Sequence, residues 1–279
     1  MTDEGNRKRE ESRRVFSEAA STYDRIGPRS FSHFGQRLVD LAEIAPGAKV
    51  LDVAAGRGAV LFPAAVKVGS SGLVVGIDFT AAMVSETAKD IESRKIREAE
   101  IRQMDAEQMV FTDASFDCVT CGFALWMFAE PARVLQEFHR VLKRGGRVAL
   151  STWSADNPSQ TWCHAVLRPY APASASRSAT SKNDSRFDTP SQLESAMQKA
   201  GFTDIRIAVE EQEFVYADEE EYWLTLWSAG LRRQLEKMAP EALERAKRDV
   251  FHELQELKQQ DGFHIVSRAL FAFGTKPAS

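Results

Sequence analysis

Glycines and aspartates cluster around an apolar run near residue 50. The run reads Val50-Leu-Asp52-Val-Ala54-Ala-Gly56-Arg-Gly58-Ala59, a strand-like segment that leads into a glycine-rich turn and then a helix. Such a turn lets backbone N–H groups approach a bound ligand closely. Asp78 ends the next apolar run, where a carboxylate can accept hydrogen bonds from ribose hydroxyls. The pattern fits any nucleotide-bearing cofactor, although a purely structural turn would also produce it.

Two further features distinguish between nucleotide cofactors. A dinucleotide-binding turn carries a third small residue, but this chain has Leu61 at that position. Met104-Asp105-Ala106-Glu107 follows the third apolar run, and its carboxylate and backbone N–H groups suit the amine and ring nitrogens of adenine. A lone Asp after a strand is usually a turn residue. Asp105 lies at the end of the third strand, beside Asp52 and Asp78, and this position favours the binding interpretation. Together with Leu61, it argues against a nicotinamide site.

Apolar runs alternate with segments of helical periodicity between residues 49 and 152, which is typical of an α/β protein with a parallel sheet. The predicted strands are Lys49–Val53, Leu73–Ile77, Glu100–Gln103, Phe116–Cys121 and Arg147–Thr152. The helix before the fifth strand is expected to begin near Pro131 and to end at the glycine pair Gly145-Gly146. Two later apolar runs, Ile205–Val215 and Ile265–Gly274, are also predicted to be strands, but they do not continue the alternation of strands and helices.

Three segments surround the predicted sheet. Residues 10–45 precede the first strand and include an amphipathic pattern formed by Phe31, Phe34, Leu38 and Leu41. Residues 154–190 are rich in Ser, Ala, Pro and Asn, so we expect a loop broken by one short helix around Trp162–Leu167. Residues 218–260 have a helical pattern and fall between the last two strands, which predicts a cap over the sheet.

Composition limits the class of partner. The chain has 279 residues, 43% of them hydrophobic, and a formal net charge of −4, so bulk charge gives no attraction to nucleic acid or anionic lipid. The longest apolar stretch, Ala59–Val66, is too short to span a bilayer. The first fourteen residues mix basic and acidic side chains without the apolar region of a secretory signal. We therefore expect a cytoplasmic protein that acts on a small molecule.

The three cysteines do not form a disulfide framework. Cys118 and Cys121 make a C-x-x-C inside an apolar strand, whereas a redox-active pair would open a helix. A zinc site would need Cys163 and His164 as further ligands, and no second spaced pair supports one. Core packing is the favoured interpretation, and no metal site is predicted.

Taken together, the ordered motifs of this chain resemble those of class I S-adenosylmethionine-dependent methyltransferases. The motifs are Asp52-x-Ala-x-Gly-x-Gly58, Asp78, Asp105-Ala106, Ser115-Phe116-Asp117 and Arg140-Val-Leu-Lys-Arg-Gly-Gly146. Within that class the chain is most similar to the ubiquinone/menaquinone-biosynthesis C-methyltransferase type and its small-molecule relatives. The segment from Val15-Phe16 to Tyr23-Asp24 is similar to the N-terminal motif of that group.

The resemblance implies a Rossmann-like, seven-stranded α/β sheet with an antiparallel last strand, helices on both faces and a helical lid or cap. It divides the chain into an N-terminal helical lid at 1–45, a cofactor-binding core at 46–217 and 263–279, and a cap at 218–262 inserted between the last two strands. A homo-oligomer formed through the N-terminal helix or the cap is compatible with this arrangement.

The resemblance also implies S-adenosylmethionine as cofactor and S-adenosylhomocysteine as its product. Asp52 and the backbone of Ala54, Gly56 and Gly58 would hold the methionine and ribose parts. Asp78 would accept hydrogen bonds from the ribose hydroxyls. Phe79 and Met83 would flank the adenine, and Asp105 and Ala106 would lie at its amine edge. Gly122 and Phe123 would lie beside the sulfonium, and Tyr23 would close the pocket. The chain departs from the usual pattern at Ala54, at Arg57 and at Gly122.

The implied chemistry needs little from the protein beyond alignment and exclusion of water, because a sulfonium is an activated methyl donor. A general base is required only if the nucleophile carries a proton that must leave early. The candidates for such a role are Tyr23, His33 and His164, although an exposed or capping role for each histidine stays open.

The acceptor is expected to be apolar. Five tryptophans lie in or near the segments that should frame its pocket: Trp126, Trp153, Trp162, Trp223 and Trp227. An aromatic wall favours a small prenylated or aromatic acceptor, and we expect methylation at carbon. Methylation at oxygen or nitrogen, and cofactor binding without turnover, remain alternatives.

Overall fold

The computed structural model describes residues 3–170, 186–228 and 230–278. The helices are α1 (Asp3–Ala19), α2 (Ser30–Leu41), α3 (Leu61–Val68), α4 (Ala81–Ser93), α5 (Pro131–Val141), α6 (Pro158–Leu167), α7 (Pro190–Lys199), α8 (Glu219–Trp227), α9 (Arg232–Leu235) and α10 (Pro240–Leu254). The strands are β1 (Lys49–Val53), β2 (Leu73–Asp78), β3 (Ala99–Gln103), β4 (Phe116–Gly122), β5 (Leu142–Trp153), β6 (Thr203–Tyr216), β7 (Lys258–Gln259) and β8 (Gly262–Thr275).

The strands of the described residues form one mixed sheet in the order β3-β2-β1-β4-β5-β8-β6. The first five of these are mutually parallel, whereas β8 runs antiparallel to both β5 and β6. The two-residue strand β7 pairs only with the start of β8. The predicted Rossmann-like sheet with an antiparallel last strand is confirmed, with β7 as a small addition.

The sheet is covered on both faces, as its parallel centre requires. On one face, Phe34 and Leu38 of α2 pack with Leu61 of α3 and with the cap helices in one apolar cluster. On the other face, Phe138 of α5 and Met197 of α7 belong to a second cluster. Helices therefore lie on both faces, as predicted.

The junction between α5 and β5 differs from the sequence prediction. The helix ends at Val141, and the segment from Leu142 through the glycine pair is already part of β5. Leu142 pairs with Phe116 before a register shift, and the Gly145 N–H donates to the Lys276 carbonyl at 2.9 Å. The Lys276 ammonium donates to the Leu142 carbonyl at 2.8 Å. Gly145 has a left-handed φ of +74°, and contacts from Lys276, near the other end of the chain, hold this glycine pair against the edge of the sheet.

The outer segments follow the predicted order. Helices α8, α9 and α10 lie between β6 and β8, and α6 lies within the predicted loop at 154–190. The part of that loop at 171–185 lies outside the described residues. The division into lid, core and cap stays a prediction. No helix in the described ranges is long and apolar enough to cross a membrane.

The cysteines lie in the core. Cys118, Cys121 and Cys163 are all buried and none is disulfide-bonded. Burial raises the pKa of the Cys118 thiol to about 12. A thiol that stays protonated at neutral pH is a poor nucleophile and metal ligand, which supports a packing role.

Candidate cofactor site

A pocket of about 1240 Å³, partly open to solvent, lies at the carboxyl ends of the parallel strands. Strand ends β1, β2 and β4 supply Asp52, Asp78 and Gly122, and the segment after β3 supplies Asp105. The lining residues that were predicted from sequence are Tyr23, Asp52, Ala54, Gly56, Asp78, Phe79, Met83, Asp105, Ala106, Gly122 and Phe123. Gly58 lies just behind this wall and lines a neighbouring cleft instead.

The glycine-rich turn after β1 has left-handed backbone conformations. Gly56 and Gly58 have φ angles of +51° and +81°, and Ala54 has a φ of +56°. A Cβ at Gly58 would lie 2.4 Å from the Phe62 ring, so a side chain there is strained and also lacks space. Ala54 therefore adopts the left-handed conformation that glycine favours, which its small side chain permits.

Asp78 organises this turn. Its two carboxylate oxygens accept the Gly56 N–H at 2.9 Å and the Thr80 N–H at 2.8 Å. Burial raises the pKa of this carboxyl, and the two backbone hydrogen bonds oppose that shift. Each oxygen keeps a further lone pair, so Asp78 can hold the turn and still accept ribose hydroxyls.

Asp52 is the most buried carboxylate of the site, with 1% of its surface exposed. The Thr120 hydroxyl donates to its Oδ1 at 2.8 Å, but Oδ2 is buried without a hydrogen-bond partner. Burial raises the pKa of Asp52 to about 7; the Thr120 hydrogen bond and the Leu61 backbone N–H lower it in part, and the nearby Asp78 carboxylate raises it further. An unsatisfied buried oxygen in a pocket wall suits a cationic donor, and the ammonium of a methionine moiety is one.

The predicted adenine end contains Phe79, Met83, Asp105 and Ala106. The Asp105 Oδ1 accepts the Glu107 N–H at 2.9 Å, which fixes the turn after β3. Its Oδ2 accepts a hydrogen bond from the Arg9 guanidinium of α1. The side chains of this end therefore fit an adenosyl group, with a contribution from α1 that the motifs do not contain.

Aromatic side chains enclose the opposite end, beside Gly122. The Phe123 ring lies 4.3 Å from that of Trp153, and Phe31 packs edge-on against Phe123 at 5.4 Å between ring centroids. Tyr23 stacks on Phe31 at 5.2 Å. Tyr23, Phe31 and Phe123 line this end of the pocket and make its wall apolar, and Trp153 packs against Phe123 without lining the pocket.

Tyr23 and Asp24 have different roles. Burial raises the pKa of the Tyr23 hydroxyl far above its usual value, so this group stays protonated and can only donate or accept a hydrogen bond. The Asp24 carboxylate accepts the N–H groups of Phe31 at 3.2 Å and Ser32 at 2.8 Å, at the start of α2. Asp24 thus caps the first turn of α2 from outside the helix, because Arg29 at the N-cap position makes no side-chain hydrogen bond to it. The sequence analysis did not anticipate this contact.

The two candidate histidines do not line the pocket. His33 lies on α2 between the rings of Phe34 and Phe214, and burial lowers its pKa. His164 lies on the exposed side of α6. A catalytic role for either histidine stays a prediction that the geometry of the pocket does not favour.

Sequence reasoning predicted an N-terminal helical lid, but it did not identify the residues of α1 that line the pocket or the role of a buried arginine. Arg9, Ser12, Arg13 and Phe16 of α1 all line the pocket. Their spacing of three or four residues was a usable signal, because such residues share one helix face. Arg57, noted only as a departure, is buried and donates from its guanidinium to the Ala20 carbonyl and to Asp90. It ties the glycine-rich turn to the end of α1.

Fold and pocket together define a class: a Rossmann-like α/β protein with a nucleotide-cofactor site at the carboxyl ends of its strands. Residues 44–212 match a family of methyltransferase domains. Among solved structures, the YcgJ protein from Bacillus subtilis superposes with a TM-score of 0.59 at 22% identity, covering 88% of this chain and 100% of that one. That likeness concerns the fold alone.

Curated relatives narrow the class. The chain is 34% identical to nocamycin O-methyltransferase from Saccharothrix syringae, over 81% of this chain and 85% of that protein. It is 41% identical to aklanonic acid methyltransferase from Streptomyces sp. (strain C5), over 50% of this chain and 63% of that protein. It is 33% identical to demethylmenaquinone methyltransferase from Lactobacillus johnsonii, over 52% and 62%. The last two matches span less than two thirds of the relative.

The chain belongs to the family of S-adenosylmethionine-dependent methyltransferases, which confirms the resemblance carried by its motifs and the predicted cofactor.

Proposed function

We propose that this chain transfers the methyl group of S-adenosylmethionine to a carboxylate oxygen of a small, largely apolar or aromatic acceptor. The cofactor supplies an activated methyl group on a sulfonium. Asp52, Asp78 and Asp105 bind and orient its three parts, and the aromatic wall beside Gly122 excludes water from the reacting end.

The observation that carries the proposal is that the described part of the pocket wall offers no general base apart from carboxylates that already accept hydrogen bonds from the protein. Asp52, whose pKa is about 7, is occupied by the methionine ammonium in the proposed binding mode. Among the described residues that line the pocket there is no His, Lys or Cys, and Tyr23 stays protonated. The carboxylates of the wall all accept hydrogen bonds from the protein: Asp24, Asp52, Asp78, Asp105 and Glu107. Such a site suits a nucleophile that is already ionised at neutral pH, and a carboxylic acid is one.

The relatives support the same chemistry. One acts on an acid by its name, and another is named as an O-methyltransferase and aligns over 85% of its length. Methylation at carbon is the second candidate, because demethylmenaquinone methyltransferases are also relatives. A quinol-type acceptor would also fit an apolar wall.

The two candidates leave different products. The protein would be incubated with methyl-labelled S-adenosylmethionine and a panel of aromatic and aliphatic carboxylic acids, each with its primary amide as a control of equal shape but no charge. We expect label in the acids only, released as methanol by alkali because a methyl ester is hydrolysed. Alkali-stable label, or equal labelling of the amides, would contradict the carboxylate assignment, and alkali-stable label in demethylated quinols would favour carbon.

A further inference from the structure

Arg9 of α1 bridges three groups at the adenine end of the pocket. Its guanidinium donates to Oδ2 of Asp105 and, at 3.3 Å, to Oε2 of Glu107. Its Cζ lies 5.0 Å from the centre of the Phe79 ring. Only 17% of the Arg9 side chain is exposed. These contacts place a part-buried cation beside the carboxylate that is proposed to contact adenine.

The partners of Arg9 are themselves fixed by the core. The other Glu107 oxygen, Oε1, accepts the N–H groups of Ala129 at 2.9 Å and Glu130 at 3.3 Å. The Asp105 Oδ1 accepts the Glu107 N–H at 2.9 Å. Arg9 therefore completes the restraint of the Asp105 carboxylate, because it holds the second oxygen while Glu107 N–H holds the first.

The positive charge of Arg9 also offsets repulsion between the Asp105 and Glu107 carboxylates. Asp105 and Glu107 are neighbouring carboxylates, and 27% of the Asp105 side chain is exposed. Without a cation between them, repulsion and hydration favour rotation of Asp105 towards water. With Arg9 in place, each Asp105 oxygen keeps a lone pair for a donor on the ligand.

We propose that Arg9 is a positioning residue that holds the Asp105 carboxylate toward the exocyclic amine of the cofactor, so that selectivity for adenine depends on α1. The proposal rests on the placement of adenine between Phe79 and Asp105. It assigns to the N-terminal helix a part in recognising the cofactor as well as in covering it.

The outer side of α1 supplies a matched control. Glu11 pairs with Lys237 at 2.5 Å, Arg14 with Glu236 at 2.7 Å, and Glu18 with Arg232 at 3.1 Å, all on the segment that contains α9. Arg14→Ala removes the same charge from the same helix and loosens its attachment to the cap, but it removes no contact with Asp105.

The experiment measures dissociation constants of S-adenosylhomocysteine and of its inosine analogue, which has a carbonyl in place of the amine, by titration calorimetry. The proteins are wild type, Arg9→Ala, Arg9→Lys, Arg14→Ala and Asp105→Asn. Wild type should bind the inosine analogue more weakly. Arg9→Ala should lose about tenfold in affinity for the adenine ligand and most of the discrimination, since a charge-assisted contact is lost. Arg9→Lys should restore part of the discrimination, and Arg14→Ala should leave it unchanged.

Each outcome decides one point. If Arg9→Ala weakens both ligands equally, Arg9 only docks the helix and the positioning role is wrong. If discrimination grows, Arg9 donates to the base edge itself, and the proposal is likewise wrong. If Asp105→Asn keeps full discrimination, the placement of adenine fails, whereas normal methyl transfer to the acceptor panel would still support the proposed function.

Discussion

Cofactor affinity should depend on pH through Asp52. In the free protein this buried carboxyl has a pKa of about 7, and its Oδ2 lacks a partner. A methionine ammonium bound at Oδ2 stabilises the ionised form and so lowers the pKa in the complex. Binding then requires loss of the proton, and affinity is greatest above the pKa of the free protein and falls as pH falls through it.

The magnitude follows from the ionised fraction. For a pKa of about 7, the fraction of ionised Asp52 falls from about three quarters at pH 7.5 to about one tenth at pH 6, so affinity should fall about eightfold. Calorimetry with S-adenosylhomocysteine, which is not turned over, measures this directly. Repeating it in buffers of different ionisation enthalpy at pH 6.5 should reveal release of about three quarters of a proton per ligand bound.

Two variants test the assignment. Asp52→Asn cannot titrate, so its affinity should be lower at neutral pH and nearly independent of pH. Thr120→Val removes the hydroxyl that donates to Oδ1 at 2.8 Å, so it should raise the pKa and move the midpoint of the affinity profile to higher pH. Wild-type affinity that is constant from pH 6 to 7.5 would refute the reasoning. If the affinity of Asp52→Asn depends on pH as strongly as that of the wild type, the titrating group is Asp78, whose pKa is also raised by burial.

Three further predictions concern other parts of the chain. Asp78→Asn should weaken S-adenosylhomocysteine binding about ten- to a hundredfold in calorimetry, because a charged acceptor is lost. It should also lower the Tm, because the Gly56 or the Thr80 N–H loses its partner. Wild-type affinity in a folded variant would contradict this prediction. Deleting residues 1–19 removes α1 but spares Asp24 and its contacts with α2. This deletion should abolish turnover of an identified acceptor, while the circular dichroism spectrum stays that of the folded core. Near-normal turnover would show that α1 only covers an apolar surface. Glu213 lies 3.0 Å from Nδ1 of His264, and Nε2 of His264 hydrogen-bonds to Asp261 at 2.8 Å; these two carboxylates raise the pKa of His264. The stabilising effect of the protonated imidazole is therefore present below the ordinary histidine pKa and is lost as pH rises through the raised one. His264→Gln should therefore lower the Tm more at pH 6 than at pH 9, and equal losses would contradict this.

The part of the site that sequence predicts is the part built by parallel strands. Asp78 and Gly122 end their strands, and Asp52 is one residue from the end of β1. Because neighbouring parallel strands end at one edge of the sheet, their order along the chain is enough to bring these residues together. Ala54 and the glycines after it have positive φ, and a run of such small residues after a strand predicts a turn of this kind. This turn can be recognised from a short stretch of sequence, without knowledge of the rest of the chain.

The contacts that sequence does not predict are long-range. Arg9 and Asp105 are 96 residues apart. The spacing in α1 indicates that Arg9 and Phe16 share one helix face, but it does not show that this face lines a pocket. The end of α5 depends on Lys276, which lies 134 residues from the Leu142 carbonyl that it binds. His33 and His164 were candidates because of their residue type, and only the packed structure shows that neither lines the pocket.

The electrostatics of the free protein explain why a cationic ligand suits this pocket. Asp52 and Asp78 are both nearly buried, burial raises the pKa of each, and Asp78 raises that of Asp52 further. Two such carboxylates cost stability in the free protein at neutral pH, because their charges lose hydration and repel each other. In the binding mode proposed above, the ammonium of S-adenosylmethionine would offset the charge on Asp52. Its ribose hydroxyls would supply Asp78 with hydrogen bonds in place of the water that burial removes, so ligand binding would lower both costs.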